Sequence, residues 1–184
     1  MGRRGRSLFG NQGLVFFVTT TVVNYGKTFA CGEAYYLILL NSLKYLLREH
    51  HATLIAYVLM PSHIHAILNL PEGEDISDLM RDFKKFTSTK IRQQLERDGQ
   101  EYWLKRLRWN ARTKNNQRFK LWMDRFDDFV IDSQSVLEAK IDYIHENPVK
   151  ANLVVNPEDW QFSSARNYIL NDNSLVDIPI DWVL

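Results

Sequence analysis

The sequence predicts an α+β fold, a ferredoxin-like or RRM-like antiparallel sheet with helices on one face, and three observations carry that expectation. Three stretches before residue 71 are rich in Val, Ile, Phe and Thr, as strands are, and the second and third are broken by Pro61-Ser62. Between and after them, apolar residues recur at helical spacing. The resulting order, β-α-β-β-α, starts a split βαβ unit whose helices cover one sheet face and leave the other for a ligand.

Leu14 to Val23 forms the first strand and Asn24-Tyr25-Gly26 ends it. From Gly32 to Glu49, Leu37, Leu40, Leu43 or Lys44, and Leu47 mark a helix; Arg48, His50 and His51 suit the negative end of its dipole. Thr53 to Met60 and Ile64 to Leu70 are the next two strands. Past Pro71-Glu72-Gly73-Glu74, the stripe Ile76, Leu79, Met80, Phe83, Phe86 and Ile91 predicts an amphipathic helix with basic side chains on its other faces. Residues 97–120 lose clear periodicity and read as a basic insertion, after which Lys120 to Ile131 regains strand character. Ser135-Val-Leu-Glu138 matches a capping box, and Leu137, Ile141 and Ile144 give the stripe of a third helix ending at Asn147-Pro148. The C-terminal extension, 154–184, holds Trp160, a short turn at Ser163 to Leu170 and an apolar end through Ile178 and Trp182. Its place in the fold does not follow from its pattern.

With 184 residues, 45% of them apolar, the chain suits one well-filled domain preceded by a basic arm, 1–12, with Arg3, Arg4 and Arg6. Formal net charge is only +1, yet residues 81–125 hold 14 Lys+Arg against 5 Asp+Glu, a basic segment on an acidic body. Cys31 stands alone, which excludes an intramolecular disulfide and CxxC-type zinc or redox motifs and fits a reducing, cytoplasmic setting. The longest apolar run, Tyr35 to Leu47, is interrupted and falls short of the ~20 residues of a membrane span. No GKT/S phosphate loop is present, so no nucleotide cofactor is expected.

Two places carry residues suited to chemistry. Side chains two apart on a strand point the same way, so His63 and His65 project from one sheet face while Ile64 enters the core. Such a pair either shares a metal or is satisfied separately by backbone groups. On the third helix Tyr143 and Asn147, four apart, stack on one face opposite Leu137, Ile141 and Ile144. They read either as a phenol and a carboxamide presented together, or as an exposed tyrosine and a helix-ending asparagine. Lys140, one turn before Tyr143, suits a phosphate or a phenolate, but a solvated lysine is the reading preferred; His145, on another face, is structural. Along the basic segment, Arg81, Lys84, Lys85, Arg92, Lys105, Arg106, Arg108, Arg112, Lys114, Arg118 and Lys120 are dense enough to track a nucleic-acid backbone. Trp103 or Trp109 offers a face to an unstacked base, or both fill a small satellite core.

Leu59-Met-Pro-Ser-His-Ile-His-Ala-Ile-Leu68 and Asp142-Tyr-Ile-His-Glu-Asn-Pro-Val-Lys-Ala-Asn-Leu153, in that order, resemble the single-tyrosine transposases of the HUH endonuclease superfamily, and the second block their REP-associated branch. The resemblance runs from about Leu14 to about Tyr168 and includes Leu121 to Ile131 and Trp160 to Arg166. It implies cleavage and rejoining of single-stranded DNA beside a hairpin, with Tyr143 as nucleophile, a 5′-phosphotyrosine intermediate, and Mg²⁺ or Mn²⁺ on His63, His65 and Asn147. Mixed nitrogen and oxygen ligands alone would equally suit Zn²⁺. Relatives outside this branch carry Gln in place of Asn147. The family holds monomers and homodimers, so Tyr143 acts in cis or in trans. A single-strand or hairpin binder without catalysis, and a metallohydrolase using the histidines and a water, are the readings that compete.

Overall fold

A computed structural model describes residues 13–111 and 118–184. Its elements are β1 (Leu14–Thr21), α1 (Glu33–Glu49), β2 (Thr53–Leu59), β3 (His63–Leu70), α2 (Ile76–Arg97), α3 (Glu101–Ala111), β4 (Asp127–Ile131), α4 (Gln134–Lys150) and α5 (Ala165–Leu170). The four strands form one antiparallel sheet in the order β2-β3-β1-β4. With β3 between β1 and β2, this is the expected split βαβ arrangement, and the α+β class holds.

Strand alternation divides the apolar residues between two cores. Phe16, Val18, Ile64, Ala66 and Leu68 face α1 and α2, meeting Leu39, Leu43, Leu79 and Phe83. Val15, Ile55, Val58, Ile67 and Ile131 face the other way and meet Leu137 and Ile144 of α4. Helices on one face therefore describes α1 and α2, with α3 joining their core, but not α4. The expected third helix packs on the opposite face, because its stripe of Leu137 and Ile144 is apolar enough to need a partner of its own.

Other departures are local. The basic insertion contains α3, whose buried Leu104, Leu107 and Ala111 keep helical spacing among charged and aromatic neighbours that hide it. Strand four is shorter than Lys120 to Ile131, since Leu121 and Trp122 turn into the core and Trp122 pairs with the sheet only through an isolated bridge to Val22. Helix α4 begins at Gln134 after Ser133, so Ser135 lies inside it and the expected capping box does not form; Gln134 Nε2 donates to Glu138 Oε1 at 3.1 Å instead. Nor does Pro148 end the helix. It sits buried in the last turn, where its missing N–H removes one hydrogen bond, and the helix closes after it in a Schellman motif on Asn152, φ 54°.

The C-terminal extension runs along the outer edge of β2. Leu59 N donates to Phe162 O (2.9 Å), Ser164 N to Tyr57 O (2.9 Å) and Trp160 Nε1 to Leu59 O (3.0 Å), covering an edge that would otherwise be open to pairing. Val176 and Ile178 then enter the first core, while Trp182 and Leu184 pack on the second. The turn expected at Ser163 to Leu170 is α5.

Candidate active site

Pairing of β1 with β3 sets Thr21 opposite His63 and Thr19 opposite His65, so both histidines lie on the sheet face covered by α4. Their rings sit 4.8 Å apart between centroids. His65 is 6% exposed, stacks on Phe17 at 5.5 Å and shares a 2.8 Å hydrogen bond through Nδ1 with Thr19 Oγ1. His63 is half-buried, with Ser62 Oγ 3.2 Å from its Nδ1. Burial, then the neighbouring His63 and Lys140 charges, pushes the His65 imidazole down to about 3. Burial also lowers His63, opposed by a hydrogen bond with Asn147. Both rings are thus held neutral, the form in which imidazole binds metal.

Leu137 and Ile144 anchor α4, and the same helix turns Tyr143 toward the histidines. The Tyr143 ring is 41% exposed and meets His65 edge-on at 5.3 Å and Phe17 at 5.9 Å. Asn147 Nδ2 donates back to Tyr143 O at 2.7 Å, which leaves its Oδ1 as the side-chain atom to face His63. Four predicted residues, two on a strand and two on a helix, are therefore brought together: His63, His65, Tyr143 and Asn147.

This donor set fits a divalent ion. Each histidine has its Nδ1 engaged by a hydroxyl, an outer contact of the kind that fixes a ligating ring and leaves Nε2 for the ion. No group of three or more His, Cys, Asp or Glu is disposed to hold a metal among the described residues, so the Asn147 amide oxygen is the third protein donor at hand.

Three neighbours had no role in the sequence reading. Phe17 and Thr19 build the floor of the site from β1, and no pattern within β1 reveals this without the β1–β3 register. Lys150 Nζ lies 5.8 Å from the Tyr143 ring centroid. Lys140, read as solvated, is inside the site, 5.6 Å from the Tyr143 ring and 4.6 Å from that of Phe17.

His145 is structural as expected. It is 7% exposed, its Nε2 lies 2.8 Å from Ser164 Oγ, and it ties the tyrosine helix to the C-terminal extension. Burial lowers its pKa from 6.5 to about 4, so the unfolded chain takes up this proton more readily than the folded one. Stability from this source is complete above pH 6.5 and is lost as pH falls to about 4. A urea midpoint that drops across this interval, by less in His145→Gln, is the expected result; equal drops would remove His145 as a source.

The basic residues distribute less simply. Arg81 pairs with Asp78 (2.6 Å) and Asp82, and Arg92 with Glu96 (2.8 Å). Lys84 Nζ donates to the carbonyls of Met123 (2.7 Å) and Asp124 (3.0 Å), pinning the loop before β4, while Lys120 pairs with Asp124. Arg81, Lys84, Lys85 and Lys120 line a groove of about 440 Å³ between α2 and that loop. On α3, Lys105 and Arg108 are exposed, and Arg106 reaches Tyr102 Oη and Asn24 O. Because Asn24 follows the end of β1 that pairs with His63, α3 lies at the same end of the sheet as the histidines. Trp103 packs on the first core beside Gly26, where a Cβ would come within 2.9 Å of its ring; Trp109 is 68% exposed. A satellite core of the two is ruled out. Arg112, Lys114 and the arm 1–12 lie outside the described residues. No helix among the described residues is long and apolar enough to cross a membrane.

Comparison with known proteins agrees with this fold. A REP-associated tyrosine transposase of Escherichia coli is 29% identical over 137 residues, 73% of this chain and 65% of that protein. A Haemophilus influenzae protein assigned as a REP-associated tyrosine transposase is 27% identical over 177 residues, 95% of this chain and 89% of its own length. Among solved structures, a REP-associated tyrosine transposase bound to a REP hairpin superposes with a TM-score of 0.64 at 25% identity, covering 100% of this chain and 92% of the other. A Deinococcus radiodurans protein assigned as a transposase shares the fold, with a TM-score of 0.51 at 14% identity over 79% of this chain and 97% of that one. The family model described as transposase IS200 like matches residues 19–147, which run from the end of β1 through both histidines and Tyr143 to Asn147, and the chain belongs to that family.

Proposed function

We propose that this transposase cleaves and rejoins single-stranded DNA beside hairpins, with Tyr143 as nucleophile and Mg²⁺ or Mn²⁺ held by His63, His65 and Asn147. The observation that carries the reading is the packing of a half-exposed phenol 5.3 Å from one of two neutral, adjacent imidazoles. Attack by Tyr143 Oη on a phosphodiester forms a Tyr–O–P bond and breaks the bond from phosphorus to the 3′-oxygen. The phenolic proton is lost and the departing 3′-oxygen gains one, so the product is a 5′-phosphotyrosine and a free 3′-hydroxyl. Attack by another 3′-hydroxyl reverses the step and joins new ends. Bond energy is kept in the protein link, which is why no nucleotide cofactor is needed. When bound, the divalent ion offsets charge on a non-bridging phosphate oxygen. Tyr143 acts within its own chain in this reading, supported by its contact with His65 of the same protomer. Hairpin DNA as substrate is supported by the REP hairpin bound to the solved relative.

The test incubates the protein, and Tyr143→Phe, with a randomised pool of labelled single-stranded hairpin DNA and Mn²⁺ or Mg²⁺. A denaturant-resistant adduct that needs both metal and Tyr143 is expected, with DNA binding retained in Tyr143→Phe. Cleavage without a protein-linked product would shift the reading to a metallohydrolase with a water nucleophile. Tight hairpin binding without adduct or cleavage would leave a binding protein.

A further inference from the structure

Tyr143 is flanked along α4 by two lysines. Lys140 precedes it by three residues and Lys150 follows by seven, spacings that return to the same helix face. Both ammonium groups come to the phenol, Lys140 Nζ at 5.6 Å and Lys150 Nζ at 5.8 Å from the ring centroid. Lys140 also stands 4.6 Å from the Phe17 ring and 5.8 Å from Phe129. Ring faces are the partners of both: neither lysine has an ion pair or hydrogen bond among the described residues. By contrast Arg81, Arg92, Lys120 and Arg166 are all matched with carboxylates.

Attraction to the ring faces accounts for each lysine singly, but two ammonium groups at one exposed phenol repel each other. An anion arriving between them offsets that repulsion. We propose that Lys140 and Lys150 are catalytic residues that grip the non-bridging oxygens of the scissile phosphodiester and hold its phosphorus against Tyr143 Oη. Charge builds on those oxygens as the Tyr–O–P bond forms and the bond to the 3′-oxygen breaks, and positioned cations stabilise that charge more than they stabilise the ground state. The same contacts serve the reverse attack by a 3′-hydroxyl, because its phosphorus is the same atom. This inference rests on Tyr143 being the nucleophile.

The experiment compares Lys140→Met, Lys150→Met and the two Arg replacements with the wild type, using hairpin DNA selected from the randomised pool. Met keeps the apolar stem that packs on the rings, so the fold is spared. Single-turnover adduct formation at saturating DNA is expected to slow on the order of 10²-fold in each Met variant, with hairpin affinity unchanged and most of the rate restored by Arg. A strand carrying a neutral methylphosphonate at the mapped cleavage site removes the charge the lysines grip, so wild type and Met variants should converge on it. Met variants that react at the wild-type rate, or that lose affinity and rate in proportion, overturn the lysine assignment while leaving Tyr143 as nucleophile. An absence of adduct in the wild type overturns both.

Discussion

A His63→Ala protein is expected to form no adduct in Mn²⁺ or Mg²⁺ while binding hairpin DNA with the same dependence on salt as the wild type. His63 is the more informative of the two histidines to remove. His65 is 6% exposed, stacked on Phe17 and bonded to Thr19, so its loss would open a cavity beneath Tyr143 and confuse chemistry with packing. His63 is half-buried, and Ser62 regains water when its ring is gone. Removing one of two imidazoles from a set whose third donor is a neutral amide should lower Mn²⁺ affinity more than about 100-fold, beyond the cost of removing an outer hydrogen bond. Electron spin resonance of Mn²⁺ reads that loss without reference to turnover. Binding of DNA depends on cations elsewhere, and log affinity against log salt should keep its slope, which counts phosphates neutralised. Normal adduct formation in His63→Ala would remove the histidine from the mechanism. A changed slope would mean that the DNA backbone passes over His63 itself.

Local periodicities placed the candidate residues on common faces and left two readings of each pair open, and the family resemblance chose between them. His63 and His65 are two apart on a strand, and Tyr143 and Asn147 four apart on a helix; each pair reveals one face of one element. Which faces meet is a tertiary fact, and there the expectation went partly astray. A sheet with helices on one face leaves the histidines facing solvent, whereas α4 covers them and buries His65. The apolar stripe of Leu137 and Ile144 was visible, but its partner was not, because Val15, Ile55, Val58 and Ile67 alternate with residues of the first core and a strand buried on both faces reads as continuous. Lys140 failed for a related reason. On an exposed helix a lysine is usually solvated, and only the crossing of α4 over β1 brings it above Phe17. The boundaries of α4 misled through rules that are statistical: Ser135 has the spacing of a cap but lies inside the first turn, and Pro148 is tolerated where few hydrogen bonds remain to be broken.

For the basic segment, reversing charge on α3 should separate cations that hold the fold from cations that meet DNA. Lys105→Glu with Arg108→Glu is expected to lower hairpin affinity on the order of 10-fold or more, and to reduce the salt slope by about 0.7 for each phosphate left without its cation. These two are chosen because both are exposed; among the described residues Lys105 has no matched carboxylate and Arg108 only a 4.0 Å approach to Glu96. Arg106 is left in place, since its contacts with Tyr102, Asn24 and Trp103 secure α3 to the turn after β1. Lys84 is left for the same reason, its ammonium being committed to the loop before β4. A control with the same change in net charge, Arg48→Glu with Lys90→Glu, alters exposed cations of α1 and α2 outside the predicted binding set. Titrations by fluorescence anisotropy across a range of salt would compare the three proteins. Equal losses in the test and control pairs would assign the effect to overall charge, whereas a loss confined to α3 would place the DNA at the end of the sheet that carries the histidines.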